Sequence, residues 1–160
     1  AVADMGTPSG GPYGLVVCLG NSLSLLSGES SLSSFFSGAA NVLAPQGLLI
    51  VQVLNYDAPA MRRPRIRTEH AVLDNGDIAA VKRFLPMKES TLLSITYYSA
   101  TLESFVETTE TMHLRHWSST QLRKSSENAA LEILGFYGDF NSSPIEKTST
   151  DIILVARKSV

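Results

Sequence analysis

Apolar and polar positions divide this chain into three kinds of stretch. The first is the unbroken apolar run. Tyr13-Gly14-Leu15-Val16-Val17-Cys18-Leu19 and Leu48-Leu49-Ile50-Val51-Gln52-Val53-Leu54 are of this kind, the pattern of strands buried on both faces of a parallel sheet. The second is helical periodicity. Over 29–43, Leu32, Phe35, Phe36, Ala39 and Leu43 recur at helical spacing, with serines mostly on the other side. Pro45 and Gly47 are expected to stop this helix. Strand, helix and strand with short joints form a βαβ unit, so the two strands should be parallel with a right-handed crossover.

A second helix is predicted from Ser118, where Gln121 three residues on fits a capping box. Leu122, Ala129 and Ile133 mark its buried stripe and Gly135 supplies a stop. Segments 136–140 and 152–156 read as the last two strands. The third kind of stretch lies between. Residues 58–70 read as irregular, with Pro59, Pro64 and the arginines Arg62, Arg63, Arg65 and Arg67. Asp74-Asn75-Gly76-Asp77 is a hairpin turn signal, because Asn-Gly accepts the positive φ of a type I′ turn. Segments 94–98 and 104–108 are rich in β-branched and aromatic residues, so 66–115 is expected to be an antiparallel insert.

Composition narrows the classes. At 160 residues the chain suits one domain better than two. Thirteen basic against fifteen acidic residues give a net charge of −2, which argues against a nucleic-acid binder that works by overall charge. The single cysteine, Cys18, excludes an internal disulfide and any site built on several thiolates; mid-strand in an apolar run, it reads as an inert core thiol. His70 and His113 have no acidic or thiol partners at metal-ligand spacing, so no metal is expected. No apolar run approaches the ~20 residues of a membrane span, and no Gly-x-Ser-x-Gly nucleophile elbow is present. A cytoplasmic protein without a membrane partner is the expectation. The chain starts without Met, and a processed or truncated product is expected.

Three motifs carry a resemblance. They are Ala3-Asp4-Met5, then Val17-Cys18-Leu19-Gly20-Asn21-Ser22-Leu23, then Leu43-Ala44-Pro45-Gln46-Gly47-Leu48-Leu49-Ile50. With Leu134-Gly135-Phe136 and the ending Val155-Ala156-Arg157-Lys158, they resemble the later part of a class I S-adenosylmethionine-dependent methyltransferase. Cys18-Leu19-Gly20-Asn21-Ser22 and Asn55-Tyr56-Asp57 look most like the glycine N-methyltransferase group of small-molecule enzymes. The implied fold is α/β, a Rossmann-like sheet incomplete at its N-terminus with an antiparallel β insert. The catalytic domain would comprise 1–57 and 116–160, and 58–115 would form a lid or substrate subdomain. No Gly-x-Gly-x-Gly follows a strand anywhere in the chain. The family's cofactor loop would therefore lie outside these residues, and they alone are expected to bind S-adenosylmethionine weakly or not at all.

The resemblance assigns roles by position. Asp4 and Met5 would hold the adenine of the cofactor S-adenosylmethionine. Leu19, Gly20, Asn21 and Ser22 would meet its methionine portion, Gly20 by allowing close backbone approach. Asn55 and Tyr56 would contact a small-molecule methyl acceptor, an amine. The glycine-specific enzymes carry an arginine just before this Asn-Tyr, and here that position is Leu54. Arg115-His116-Trp117 reads first as structural, with Trp117 packed at a joint and Arg115 paired with an acid; a place in the acceptor pocket is the alternative. Two other functions stay open: a nucleic-acid or protein methyltransferase, supported only by the arginine cluster, and a truncated non-catalytic domain whose exposed edge self-associates into a homo-oligomer.

Overall fold

A computed structural model describes residues 8–74 and 76–159 of the chain. Two compact units result, one built from 1–61 with 115–160 and the other from 62–114.

In the first unit, β1 (Tyr13–Cys18) leads through a 3-10 turn at Ser22–Leu25 to α1 (Glu29–Val42), which passes directly into β2 (Leu43–Leu54). The chain returns through α2 (Ser119–Asn128), β7 (Leu131–Tyr137) and β8 (Asp151–Lys158). The sheet runs β1-β2-β8-β7, with β1 parallel to β2 and the other pairs antiparallel. Leu49, Val51 and Val53 lie in register with Ala156, Leu154 and Ile152. Those six share one buried face with Leu32, Phe35, Phe36 and Ala39 of α1 and Leu122 of α2. Leu15 and Val17 pair with Leu48 and Ile50 on the opposite face.

Three expectations change here. The run at 13–19 is not buried on both faces: Leu15 and Val17 are 53% and 52% exposed, whereas Leu49 and Val51 are 0%. Among the described residues β1 is an edge strand with α1 and α2 over one side only, so half of its apolar positions have no cover. The second strand starts at Leu43 instead of 48, because Gln46 takes a left-handed φ of 64° and lets Pro45 sit in extended backbone. Gly47 serves close approach there: a Cβ would come within 2.8 Å of the Tyr13 carbonyl oxygen and 2.9 Å of that of Ala44. The second helix ends at Asn128, not at Gly135. Ala130 supplies the left-handed residue (φ 56°) that reverses the chain, and Ile133 and Gly135 belong to β7, where the register shifts. The Ser118 capping box is present, with Ser118 Oγ accepting from the Gln121 amide and the Gln121 side chain accepting from the Ser118 amide.

The second unit holds an antiparallel meander of β3 (Arg65–Leu73), β4 (Gly76–Pro86), β5 (Ser90–Ala100) and β6 (Phe105–Arg115), in that spatial order. The segment expected to be irregular is a 3-10 turn at Pro59–Arg62 followed by strand, so Arg65 and Arg67 are strand residues. Leu73 pairs with Gly76, which closes the β3–β4 hairpin; Asn75 of the expected turn lies outside the described residues. Alternation follows the register: Thr68, Val81 and Thr96 share one face, and Glu69, Ala80 and Tyr97 the other. Lys82 pairs with Glu69 at 2.6 Å, and the Arg65 guanidinium lies 4.4 Å from the Phe84 ring centroid.

Candidate functional site

The parallel pair β1 and β2 places its carboxyl ends side by side, the edge where α/β sheets hold ligands. Asn21 follows β1 and Asn55-Tyr56-Asp57 follows β2. Hydrogen bonding joins these ends. Asn21 sits in the left-handed region at φ 61°, a conformation that Asn tolerates better than most residues. Its backbone amide donates to Gln52 Oε1 at 3.0 Å, and Gln52 Nε2 donates to Asp151 Oδ1 at 2.6 Å. Its side-chain oxygen accepts from the Leu54 amide at 2.9 Å and from Ser24 Oγ at 2.8 Å. Its side-chain amide donates to the Tyr56 hydroxyl at 2.8 Å. Asn21, Gln52, Asn55 and Tyr56 are all buried, where unmet polar groups cost about 1–3 kcal/mol each.

His116 completes the cluster. Its ring stacks on Tyr56 with centroids 3.9 Å apart and planes 16° from parallel. Burial lowers the His116 pKa below the ordinary 6.5, and the nearby Asp57 carboxylate opposes that shift. Burial thus favours the neutral imidazole, the form that accepts a proton. Trp117, one residue on, is 1% exposed and donates from Nε1 to the Leu23 carbonyl at 2.9 Å. That bond ties the His116 backbone to the turn after β1. Arg115 stands over the Trp117 ring, its guanidinium carbon 5.1 Å from the centroid, and not beside an acid as expected.

The structure sorts the other sequence candidates. Leu19 and Gly20 are exposed at the end of β1, and Gly20 has φ 69° with nothing within 4 Å of where a Cβ would stand. Ser22 Oγ donates to the Leu19 carbonyl at 2.7 Å, closing the turn. Asn55 is held on both sides of its amide: Nδ2 donates to the Ser149 carbonyl at 2.9 Å and Oδ1 accepts from the Asp57 amide at 3.2 Å. Asp4 and Met5 lie outside the described residues. Burial pushes the Cys18 thiol above its ordinary pKa, only partly offset by a hydrogen bond with the Leu23 backbone. Among the described residues no cluster of His, Cys, Asp and Glu could hold a metal ion, and no helix is long and apolar enough to cross a membrane.

One member of this cluster was not singled out from the sequence as a site residue. Gln52 is the lone polar residue in the run 48–54, which is the signal that could have marked it. His116 was weighed as part of Arg115-His116-Trp117, first as structural and alternatively in the acceptor pocket; its stacking on Tyr56, sixty positions away, was not legible.

No protein-family model matches the sequence, and no curated protein sequence matches it. Solved structures do match. A S-adenosylmethionine-dependent methyltransferase from Clostridium acetobutylicum superposes with a TM-score of 0.81 at 15% identity, covering 100% of this chain and 64% of that one. A sugar N-methyltransferase from a Streptoalloteichus species gives 0.82 at 14% identity, over 99% of this chain and 61% of that one. An amino pentose methyltransferase from Micromonospora echinaspora, solved with S-adenosylmethionine bound, gives 0.74 at 16% identity, over 98% and 63%. The chain thus has the α/β fold of these Rossmann-like methyltransferases and spans less than two thirds of the length of each.

Proposed function

We propose that this chain carries the acceptor side of a S-adenosylmethionine-dependent methyltransferase acting on a small-molecule amine. The observation that carries the reading is the His116 ring stacked on Tyr56 at the carboxyl edge of the parallel strands. The Leu19–Gly20 backbone, open above Gly20, fits the methionine portion of the cofactor. Once bound, S-adenosylmethionine would supply an electrophilic methyl group on a sulfonium. No glycine-rich loop follows a strand in these residues, so they supply only part of a cofactor site. The fold shared with sugar and amino pentose methyltransferases supports the acceptor class.

The chain's own residues then do three things. Tyr56 fixes the plane of the His116 ring, and Asn21 fixes the Tyr56 hydroxyl. His116 takes a proton from an acceptor that arrives as an ammonium, so that a neutral amine with a lone pair is presented. Asp57 stabilises the imidazolium that forms, and positioned proton transfer of this kind contributes roughly 10²–10⁴-fold. Residues 58–115 act as a lid or substrate subdomain in this reading. The Asn55 side chain holds the Asp57 backbone and the 149–151 segment, a supporting role beside Tyr56.

The test is calorimetric. S-adenosylhomocysteine should bind the protein as the cell makes it with a Kd below ~1 mM, and bind these 160 residues alone more weakly. Absence of binding in the first titration overturns the methyltransferase reading. Tight binding by the 160 residues alone overturns the claim that part of the cofactor site lies outside them.

A further inference from the structure

Arg115 is an arginine without an acidic partner. Arg123 and Arg157 pair with Glu127 and Glu132, and Arg83 donates to Thr96. Arg115 makes no ion pair among the described residues, and its buried Nε has no hydrogen-bond partner. Its one contact of note is the face of Trp117. That ring is immobilised by burial and by its bond to Leu23, so the guanidinium rests on a fixed platform. A buried guanidinium donor left unsatisfied is costly, and such a group marks a place for a missing partner. The neighbouring residue is His116, the proton acceptor of the proposed reaction.

We propose that Arg115 is a specificity residue that anchors an oxyanion, a carboxylate or a phosphate, carried by the methyl acceptor. The proposal rests on the methyl-transfer reading and narrows it to amines that also bear a negative charge. The planar fork of a guanidinium matches either oxyanion through two parallel hydrogen bonds, which an ammonium cannot reproduce. Stacking on an indole holds the fork in place before the ligand arrives and limits the entropy lost on binding.

Trp117 is the only tryptophan in the chain, so its emission reports on the guanidinium above it. Sodium phosphate and sodium acetate are titrated separately at constant ionic strength into the wild-type chain, Arg115→Gln and Arg115→Lys. A saturable change in wild type, weakened at least tenfold in Arg115→Gln and less in Arg115→Lys, supports the assignment, and the tighter of the two salts names the oxyanion. Equal titrations in wild type and Arg115→Gln mean an adventitious ion only and overturn it, as does a wild type without saturation. If Arg115→Gln does not fold, the Arg115→Lys comparison decides: an unchanged affinity for both salts overturns the proposal. The S-adenosylhomocysteine titration, run on the same variants, should be unchanged by either substitution. Failure of the wild-type protein as the cell makes it to bind S-adenosylhomocysteine, with anion binding present in wild type and lost in Arg115→Gln, would sink the methyl-transfer reading and leave an oxyanion site at Arg115.

Discussion

The parallel strands β1 and β2 have nearly the same sequence character and opposite fates. Both are apolar runs, and they pair directly. In β2 the alternate residues Leu49, Val51 and Val53 are fully buried under the helices, and both its edges are paired. In β1 only Cys18 is buried, and the residues facing away from the helices stand open. Hydrophobicity along a strand therefore reports what the strand can bury, and its place in the sheet decides what it does bury. β1 carries no charged residue, although charge on an edge is a common defence against unwanted pairing.

This contrast can be tested by substitution. Leu49→Ala in the core should cost about 2–5 kcal/mol in a denaturant midpoint experiment, while Leu15→Ala on the open face should stay within ~0.5 kcal/mol. Equal losses would mean that β1 is covered after all. A middle-sized effect is expected where the two strands are tied together. Tyr56→Phe removes the acceptor of the buried Asn21 amide and should lower stability by about 1–3 kcal/mol; no loss would show that the tie contributes nothing. The smallest effect belongs to Val17→Lys. Stability should change by less than ~0.5 kcal/mol, and any self-association seen by sedimentation should fall, because a lysine on the edge disfavours pairing. Association unchanged by that substitution would place the self-contact elsewhere.

The same contrast explains what could be read from the sequence. The βαβ order, the antiparallel insert and the capping box at Ser118 are local signals that depend on nearby residues, and all three stand in the structure. The start of β2 was missed because Gln46 in left-handed backbone lets the chain turn from helix to strand without a loop. The end of α2 was missed because an alanine, Ala130, takes the position where glycine was sought. Local spacing located Asn21 and Tyr56 at the strand ends. It could not show that Asn21 donates to Tyr56, nor that His116 stacks there, since these contacts cross 35 and 60 positions. Asp57 was legible as part of Asn-Tyr-Asp, but its electrostatic effect on His116 needed the fold.

His116 also links the site to pH. Its folded pKa lies below the ordinary 6.5, so between those two values the unfolded chain binds more protons than the folded one. Its contribution to stability is present above 6.5 and is lost as pH falls through the folded pKa. In the reaction the same shift keeps the imidazole able to accept a proton at neutral pH.

The most direct measurement follows methyl transfer from labelled S-adenosylmethionine to amine acceptors across pH, for the protein as the cell makes it and for His116→Asn. The account predicts that the substitution lowers the rate roughly 10²-fold or more at pH 7. The two profiles should converge at high pH, where the acceptor amine is already neutral and needs no proton acceptor. Parallel profiles, or a His116→Asn rate equal to wild type at pH 7, would contradict the assignment of His116 as the proton acceptor.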